Sequence, residues 1–564
     1  MRDEAPAVLV GHLGYGLAAA KAAVAVLPDG LPPRRVELLA ASGTPPAPLT
    51  VGPVRPVPGW TTGPYARVEL PPLPAGRYRI RLRAADGREA TSPEFEVAAD
   101  RIQRQTMSDV LAYFKAMRSS GEIDRKDRRA ALWGDDSGRT VDARGGWLDA
   151  SGDTSKFLSH LTYTRTMSPQ QTPLCVWAMT AARDALAERH PALLRSLGPR
   201  LRDEALWGAD FLVRFRAPEG YFYTGIFDAL TKRLDERVVT APLPECVRTD
   251  RYQAAYRQGG GLAIAALART STLDDDGDFS RADYLTAALQ GFRHLEKHNL
   301  DYLDDHAENI VDDYCALLAA TELTAAGAGD DDVRAAAERR ATTLLDRYVR
   351  SGPGWFRADA EGRPFFHAVE AGLPVLALLR FAEVLPQAPQ ASRARALAVE
   401  ATLDTLRRTA AVPNPFGYPR QRLPSGDAFF FPHANETGYW WQGENATVAS
   451  LAAAAAACAA LDGTGDDDRE RLAAFADDQL AWITGRNPFD ACMIQGRGRN
   501  NVDYESDFPN LPGGIVNGIT SGWSDENDIA FLPSEAPGGD SWRWAEQWIP
   551  HAGWFLLAVA SARG

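Results

Sequence analysis

The pattern of hydrophobic and polar positions divides this 564-residue chain into two kinds of text. Up to about residue 99 the runs are short and alternating, at 22–27, 35–39, 65–70, 76–83 and 94–97, and Pro and Gly clusters separate them. Alternation with that punctuation predicts strands of a small all-β sandwich. From Ile102 the period becomes helical, beginning with Val110, Leu111, Phe114 and Met117. Eleven further amphipathic stretches follow, at roughly 170–189, 195–215, 254–273, 278–299, 309–326, 330–351, 367–384, 391–410, 444–461, 467–485 and 544–562.

Twelve helices suggest six hairpins. The stretch 309–326 leads through a short Gly/Asp turn into 331–350, and helices joined that closely pack antiparallel. Six hairpins can close into a ring, so the expected fold is mainly α: an (α/α)6 toroid over residues 100–564 behind a β-sandwich over 1–99. The inner helices should be the Ala-rich, nearly uncharged stretches such as 259–270, 315–323 and 446–460, with Arg- and Glu-bearing helices such as 333–350 outside. Four long loops, 133–171, 216–256, 413–443 and 486–543, hold the polar, aromatic and Gly/Pro-rich text and should crowd one mouth of the ring.

Composition narrows the function. A formal charge of −13 and a pI near 5.3 repel phosphate backbones, which argues against nucleic acid. No apolar run approaches the ~20 residues that cross a bilayer. The five cysteines are scattered, with no CxxC pair, so neither a disulfide framework nor a zinc site is indicated. Residues 1–6, Met-Arg-Asp-Glu-Ala-Pro, carry acids and no apolar core, unlike a secretory signal. The expectation is a cytoplasmic protein, with a secreted one whose signal has been removed as the alternative.

Two segments offer acid–base chemistry. Gly145-Gly146-Trp147-Leu148-Asp149-Ala150-Ser151-Gly152-Asp153 sets two carboxylates four apart beside a Trp, and two such acids can hold a water between them. An Asx-turn or helix cap is the competing reading for either Asp. Trp542-Arg543-Trp544-Ala545-Glu546-Gln547-Trp548 places Glu546 among three tryptophans, where apolar rings would raise its pKa toward that of a general acid. A first-turn Glu facing a helix dipole is the alternative there.

These segments carry a resemblance. Gly-Gly-Trp-Leu-Asp-Ala-Ser-Gly-Asp is similar to the Gly-Gly-Trp-x-Asp-Ala-Gly-Asp signature of glycoside hydrolase family 9, and Glu546 resembles that family's acid at the start of its last helix. Residues 479–487, Gln-Leu-Ala-Trp-Ile-Thr-Gly-Arg-Asn, and the Gly-rich stretch 514–522 are similar to two further family segments. Gly11-His12-Leu13-Gly14-Tyr15 resembles the opening of the immunoglobulin-like module that precedes many family 9 domains. The resemblance implies an inverting hydrolase with Asp153 as base, Asp149 as its partner on the attacking water and Glu546 as general acid. Inversion calls for base and acid ~6.5–9.5 Å apart.

Two departures matter. Ser151 is inserted between the paired acids, and the family's His-x-Arg substrate segment is absent where this chain reads Arg497 to Glu505. The absence shifts the expected substrate from polymeric cellulose to short β-linked glucosides or glucosaminides, attacked from the end. Arg499, Asp503 and Glu505 are candidate sugar contacts, as are Trp147, Trp544 and His551. The dense cluster 432–445 adds His433, Glu436, Trp440, Trp441 and Glu444, with Glu444 as the substitute acid. His367 is a further hydroxyl-binding candidate. No cofactor is expected. The acids between Asp304 and Asp313 leave calcium open, although the spacing suits helix capping better than an EF-hand. The competing functions are an endo-acting glucanase and a carbohydrate-binding protein that has lost catalysis.

Overall fold

A computed structural model describes residues 5–438, 444–505, 507 and 509–564. In the first hundred residues, strands Ala7–Leu9, Ala22–Val26, Tyr65–Glu69 and Thr50–Val51 form one sheet. The second has the order Tyr15–Gly16, Phe95–Ala98, Gly76–Arg83, Arg35–Ala40, Ala47–Pro48, with Glu89–Thr91 also paired to Gly76–Arg83. Alternation does its work here: Tyr78, Ile80 and Leu82 are buried while Arg77, Arg79 and Arg83 face water. The inward residues of both sheets make a core of their own, including Val8, Ala23, Ala25, Val36, Val68, Ile80, Leu82 and Val97.

Among the described residues the helices are α1 (Arg101–Met117), α2 (Gly121–Asp127), α3 (Thr172–Arg189), α4 (Pro191–Arg214), α5 (Gly260–Thr270), α6 (Arg281–His298), α7 (Ile310–Leu323), α8 (Asp331–Asp346), α9 (Leu373–Val384), α10 (Ala391–Ala410), α11 (Asn445–Ala460), α12 (Asp466–Ile483), α13 (Trp542–Ala545) and α14 (Ile549–Ser561). Contacts run α3–α5–α7–α9–α11–α14 and back to α3, so six helices close a ring. Against them pack α4, α6, α8, α10 and α12, each joined to its inner neighbour as a hairpin. The sixth pair is α1 with α14, from opposite ends of the helical part. Every residue of α5 and α7 is buried, whereas α8 buries one stripe, as the charge distribution requires.

Local chemistry sets the helix ends. Ser280 accepts the Asp283 N–H while Asp283 receives the Ser280 N–H, starting α6, and at α7 Asn309 accepts the Val311 N–H while Asp312 receives the Asn309 N–H. Three boundaries differ from the periodic pattern, the first being 254–273, which is α-helical only from Gly260, after a 3-10 turn at Tyr256–Gln258. Residues 367–372 are turns rather than helix, and 542–561 is interrupted by an extended segment between α13 and α14. The loops 133–171 and 216–256 also hold more order than their composition suggests. With Ala130–Leu132 just ahead of the first loop, they form a five-stranded sheet in the order Thr140–Val141, Ala130–Leu132, Val238–Val239, Gly225–Phe227, Lys156–Phe157.

The β-sheets dock on α12 and the turn after it. Arg67 grips both Asp478 oxygens at 3.0 and 3.1 Å, Ala20 N–H donates to Asp477 at 2.7 Å, and the buried Arg486 donates to Ala22 O at 3.1 Å. Trp60 inserts among Phe416, Tyr418, Phe429, Phe430 and Trp482. The Thr-Gly-Arg-Asn segment is therefore an anchor between sheet and helix. Among the described residues no helix is long and apolar enough to cross a membrane.

Candidate active site

The paired acids and the distant glutamate meet because residues 149–151 lie alongside 547–549. Ser151 N–H donates to Gln547 O at 2.9 Å, Gln547 N–H returns to Ser151 Oγ at 2.9 Å, and Ile549 N–H donates to Asp149 O at 3.2 Å. Ser151 is thus a clamp: its hydroxyl also reaches Asn510 Oδ1 at 2.8 Å. The turn 150–153 closes through Asp153 N–H to Ala150 O at 3.2 Å, with Gly152 at φ 71°, a conformation that favours glycine. The three residues between the acids form a tight turn, and Asp149 and Asp153 line the same cavity.

Glu546 lies in the extended segment, at φ −68° and ψ 136°, rather than in the first turn of α14. Alternation along 546–548 sends Glu546 and Trp548 into one cavity and Gln547 away from it, against Leu511. The cavity measures about 530 Å³, within the ~300–1,000 Å³ of small-molecule sites. Asp149, Asp153, Glu546 and Ser151 line it, as do the rings of Phe157, His160, Tyr163, Phe227, Tyr504, Trp542 and Trp548. A further wall comes from Leu230 and the turn 242–246. Glu245 and Glu505 add carboxylates, and among the described residues no Lys or Arg lines the cavity.

Electrostatics separate the acids. Asp149 Oδ1 accepts from Trp548 Nε1 at 3.1 Å and from Gln171 Nε2. Burial, then the neighbouring Asp153, lifts the Asp149 carboxyl well above its ordinary range, against the pull of the Trp548 N–H. Asp153 is raised by burial too, but the Ser155 side chain and its backbone N–H, at 2.8 Å, oppose the rise, as does Arg237. Glu546 is pushed up to about 8 by burial first and by Asp153 second, with Asn517 opposing. At neutral pH, then, Glu546 holds its proton. Behind the pair, Arg237 donates to both Asp127 oxygens at 2.9 Å, Lys156 lies 2.7 Å from Asp127, and Arg237 also meets Thr154 O at 2.7 Å, which fixes the backbone next to Asp153.

Several expected sugar contacts lie elsewhere. Trp147 is fully buried, with its indole N–H on Glu204 at 3.2 Å and its ring against Phe114, so it packs under the acids instead of facing sugar. Gly208 makes room for it, since a Cβ there would come within 2.5 Å of the ring. Trp544 is likewise buried, beside Trp523, because the turn of α13 points Trp542 outward and Trp544 inward. His551 sits behind Trp548, buried. Arg499 is paired with Asp490 at 2.7 Å, and its N–H reaches His12 at 3.2 Å, so it serves the docked sheets. Asp503 is exposed and off the cavity wall.

Glu436 latches the loop 163–166, accepting the Thr166 N–H at 2.9 Å, and His433 is 3.2 Å from Ser521. Glu444 stands just before α11, buried and pushed up to about 8, and accepts the Tyr418 hydroxyl at 2.8 Å; it is not among the residues that line the cavity with Asp149 and Glu546. His367 is buried, and its Nδ1 accepts the Val369 N–H. Trp440 and Trp441 lie outside the described residues. The acids from Asp304 to Asp313 are answered by arginines: Asp305 and Asp312 by Arg257 at 2.9 and 3.3 Å, and Asp313 by Arg347 and Arg340. Among the described residues no group of His, Cys, Asp or Glu side chains is arranged to hold a metal ion. Two cavity residues, His160 and Tyr163, carry no spacing signal in the sequence; only the folded loop reveals them.

Fold and family together define the class, an O-glycoside hydrolase. The model of glycosyl hydrolase family 9 matches residues 104–505, most of the chain and including Asp149 and Asp153, though not Glu546. The chain belongs to glycosyl hydrolase family 9. A metagenome-derived endoglucanase of that family has a solved structure with TM-score 0.65 and 18% identity, covering 98% of each chain. Endoglucanase J30, also of family 9, gives TM-score 0.64 and 17% identity over 97% of this chain and 99% of that one. Both show a shared fold. No curated protein sequence matches the chain.

Proposed function

We propose that the chain is an inverting glycosidase that removes sugars from the end of short β-linked glucosides or glucosaminides. Residues 1–99 would be its immunoglobulin-like module and 100–564 its (α/α)6 catalytic toroid. The observation that carries this reading is the cavity in which Asp149, Asp153 and a protonated Glu546 converge. Glu546 gives its proton to the glycosidic oxygen as the bond to the anomeric carbon breaks. A water attacks that carbon from the opposite face, Asp153 takes the water's proton, and Asp149 holds the water's other side. The configuration inverts and each carboxyl ends with the other's protonation state, to be restored by solvent.

The loop 227–246 on one side and residues 504, 505, 539 and 542 on the other flank the acids, and a short oligosaccharide end is the substrate we read into that space. Five carboxyl groups, of which Glu546 is held protonated, with no cation among the described lining favour a glucosaminide, whose ammonium would neutralise part of the remaining negative charge. A second reading, an endo-acting glucanase, draws on the activity named for the two solved structures. Proton NMR of cellobiose, the glucosamine disaccharide and carboxymethyl cellulose tests both. Early α-anomer from a disaccharide supports the proposal; cleavage of the polymer alone supports the endo reading; no new anomeric signal points to a binding protein.

A further inference from the structure

His160 lines the same cavity and has no part in that proton transfer. A quarter of its side chain, 25%, is exposed there. Its backbone N–H lies 3.0 Å from Gln171 Oε1, and its ring Nδ1 lies 3.1 Å from the same atom. A backbone N–H can only donate, which identifies that Gln171 atom as the amide oxygen and leaves Nε2 to donate to Asp149 Oδ1. An amide oxygen cannot donate, so the proton of the imidazole is on Nδ1. Nε2 is left as a bare lone pair, and among the described residues no protein group donates to it. The rings of Phe157 and Trp548, at 5.1 and 5.8 Å, hold the imidazole in place. Burial lowers the His160 pKa to about 4, so between about pH 4 and 8 the ring is neutral while Glu546 keeps its proton.

We propose that His160 Nε2 accepts a hydroxyl of the sugar bound against Asp149, making His160 a specificity-determining residue and Gln171 the positioning residue that sets its tautomer. The inference rests on the glycosidase reading of the cavity. An ammonium seeks the carboxylates, where charge assists the bond, and a neutral acceptor is left for a hydroxyl. Only one tautomer does this, and the same glutamine that selects it also holds Asp149, so sugar recognition and the acid pair share one side chain.

The test is titration calorimetry on the Glu546→Gln protein, which separates binding from turnover, with cellobiose, the glucosamine disaccharide and their monodeoxy derivatives. One deoxy position should bind about 3- to 10-fold more weakly than its parent. In Glu546→Gln/His160→Ala that difference should vanish, and in Glu546→Gln/His160→Gln, which regains an acceptor, it should partly return. Nitrogen-15 NMR should show the Nδ1–H tautomer between pH 6 and 8. A His160→Ala change that weakens every derivative equally, or none, or an imidazole protonated on Nε2, overturns the assignment and leaves the glycosidase reading standing. Failure of Glu546→Gln to bind any of these sugars brings down that reading, and this assignment with it.

Discussion

Replacing Glu546 by glutamine should remove activity and, in alkali, make the protein more stable. The folded chain holds this carboxyl at about 8 against an ordinary 4.5, so between those values it keeps a proton that the unfolded chain has released. Stability therefore falls as pH rises through that window and is level on either side of it. At ~1.4 kcal/mol per pH unit the full step approaches ~5 kcal/mol, an upper figure because Glu546 is half-buried and coupled to Asp153. Glutamine is uncharged throughout and has no such step, while Asp149 and Asp153 titrate in both proteins and largely cancel in the comparison. An unfolding entropy of ~2.1 cal/mol/K per residue gives ~1.2 kcal/mol/K for this length. The variant should then melt up to ~4 °C above the wild type near pH 9 and level with it near pH 4.5. Calorimetric melting across that range decides it. Parallel curves for the two proteins would refute the claim that Glu546 is held protonated by its surroundings.

Asp153→Asn and Asp149→Asn should each slow turnover by about two to four orders of magnitude while sugar still binds, and undiminished rates in both would sink the mechanism. Trp548→Phe keeps the ring and loses the N–H that reaches Asp149 at 3.1 Å, so the acidic limb of the pH–rate profile should move to higher pH; an unmoved limb means that contact does not stabilise the ionised Asp149. Arg237→Leu leaves the buried Asp127 with Lys156 alone and should cost about 3–5 kcal/mol, read as a melting point lower by ~3–4 °C. Trp60→Ala should cost a similar ~3–5 kcal/mol and open the chain near residue 100 to limited proteolysis, whereas unchanged protection there would show that the sheets dock without it.

Much of the architecture is written in local pattern. Val110, Leu111, Phe114 and Met117 announce α1 by period alone, and the uncharged Ala-rich text of 446–460 marks a helix buried on all sides, as α11 is. The strands of the first hundred residues follow from alternation, and the capping residues Ser280 and Asn309 fix where α6 and α7 begin. What local pattern does not carry is direction. Trp542, Trp544 and Trp548 read alike along the chain, yet a short helix followed by an extended segment turns the first and last to the cavity and buries the middle one. Trp147 and Arg499, each beside a motif residue, serve packing and domain docking for the same reason.

The sequence by itself marked out the helices and the strands ahead of them, because periodicity is a property of neighbours in the chain, and its family resemblance singled out three acids that the structure brings to one cavity. The tertiary structure alone decided that Ser151 would be a clamp, that burial would push the Glu546 carboxyl up to about 8, and that the His160 ring would carry its proton on Nδ1. Those depend on Gln547 meeting Ser151 across almost four hundred residues, on burial beside Asp153, and on one amide of Gln171 whose orientation a backbone N–H dictates. Burial, pKa and tautomer are set by what surrounds a group in space, and a chain's order lists its neighbours only along the backbone.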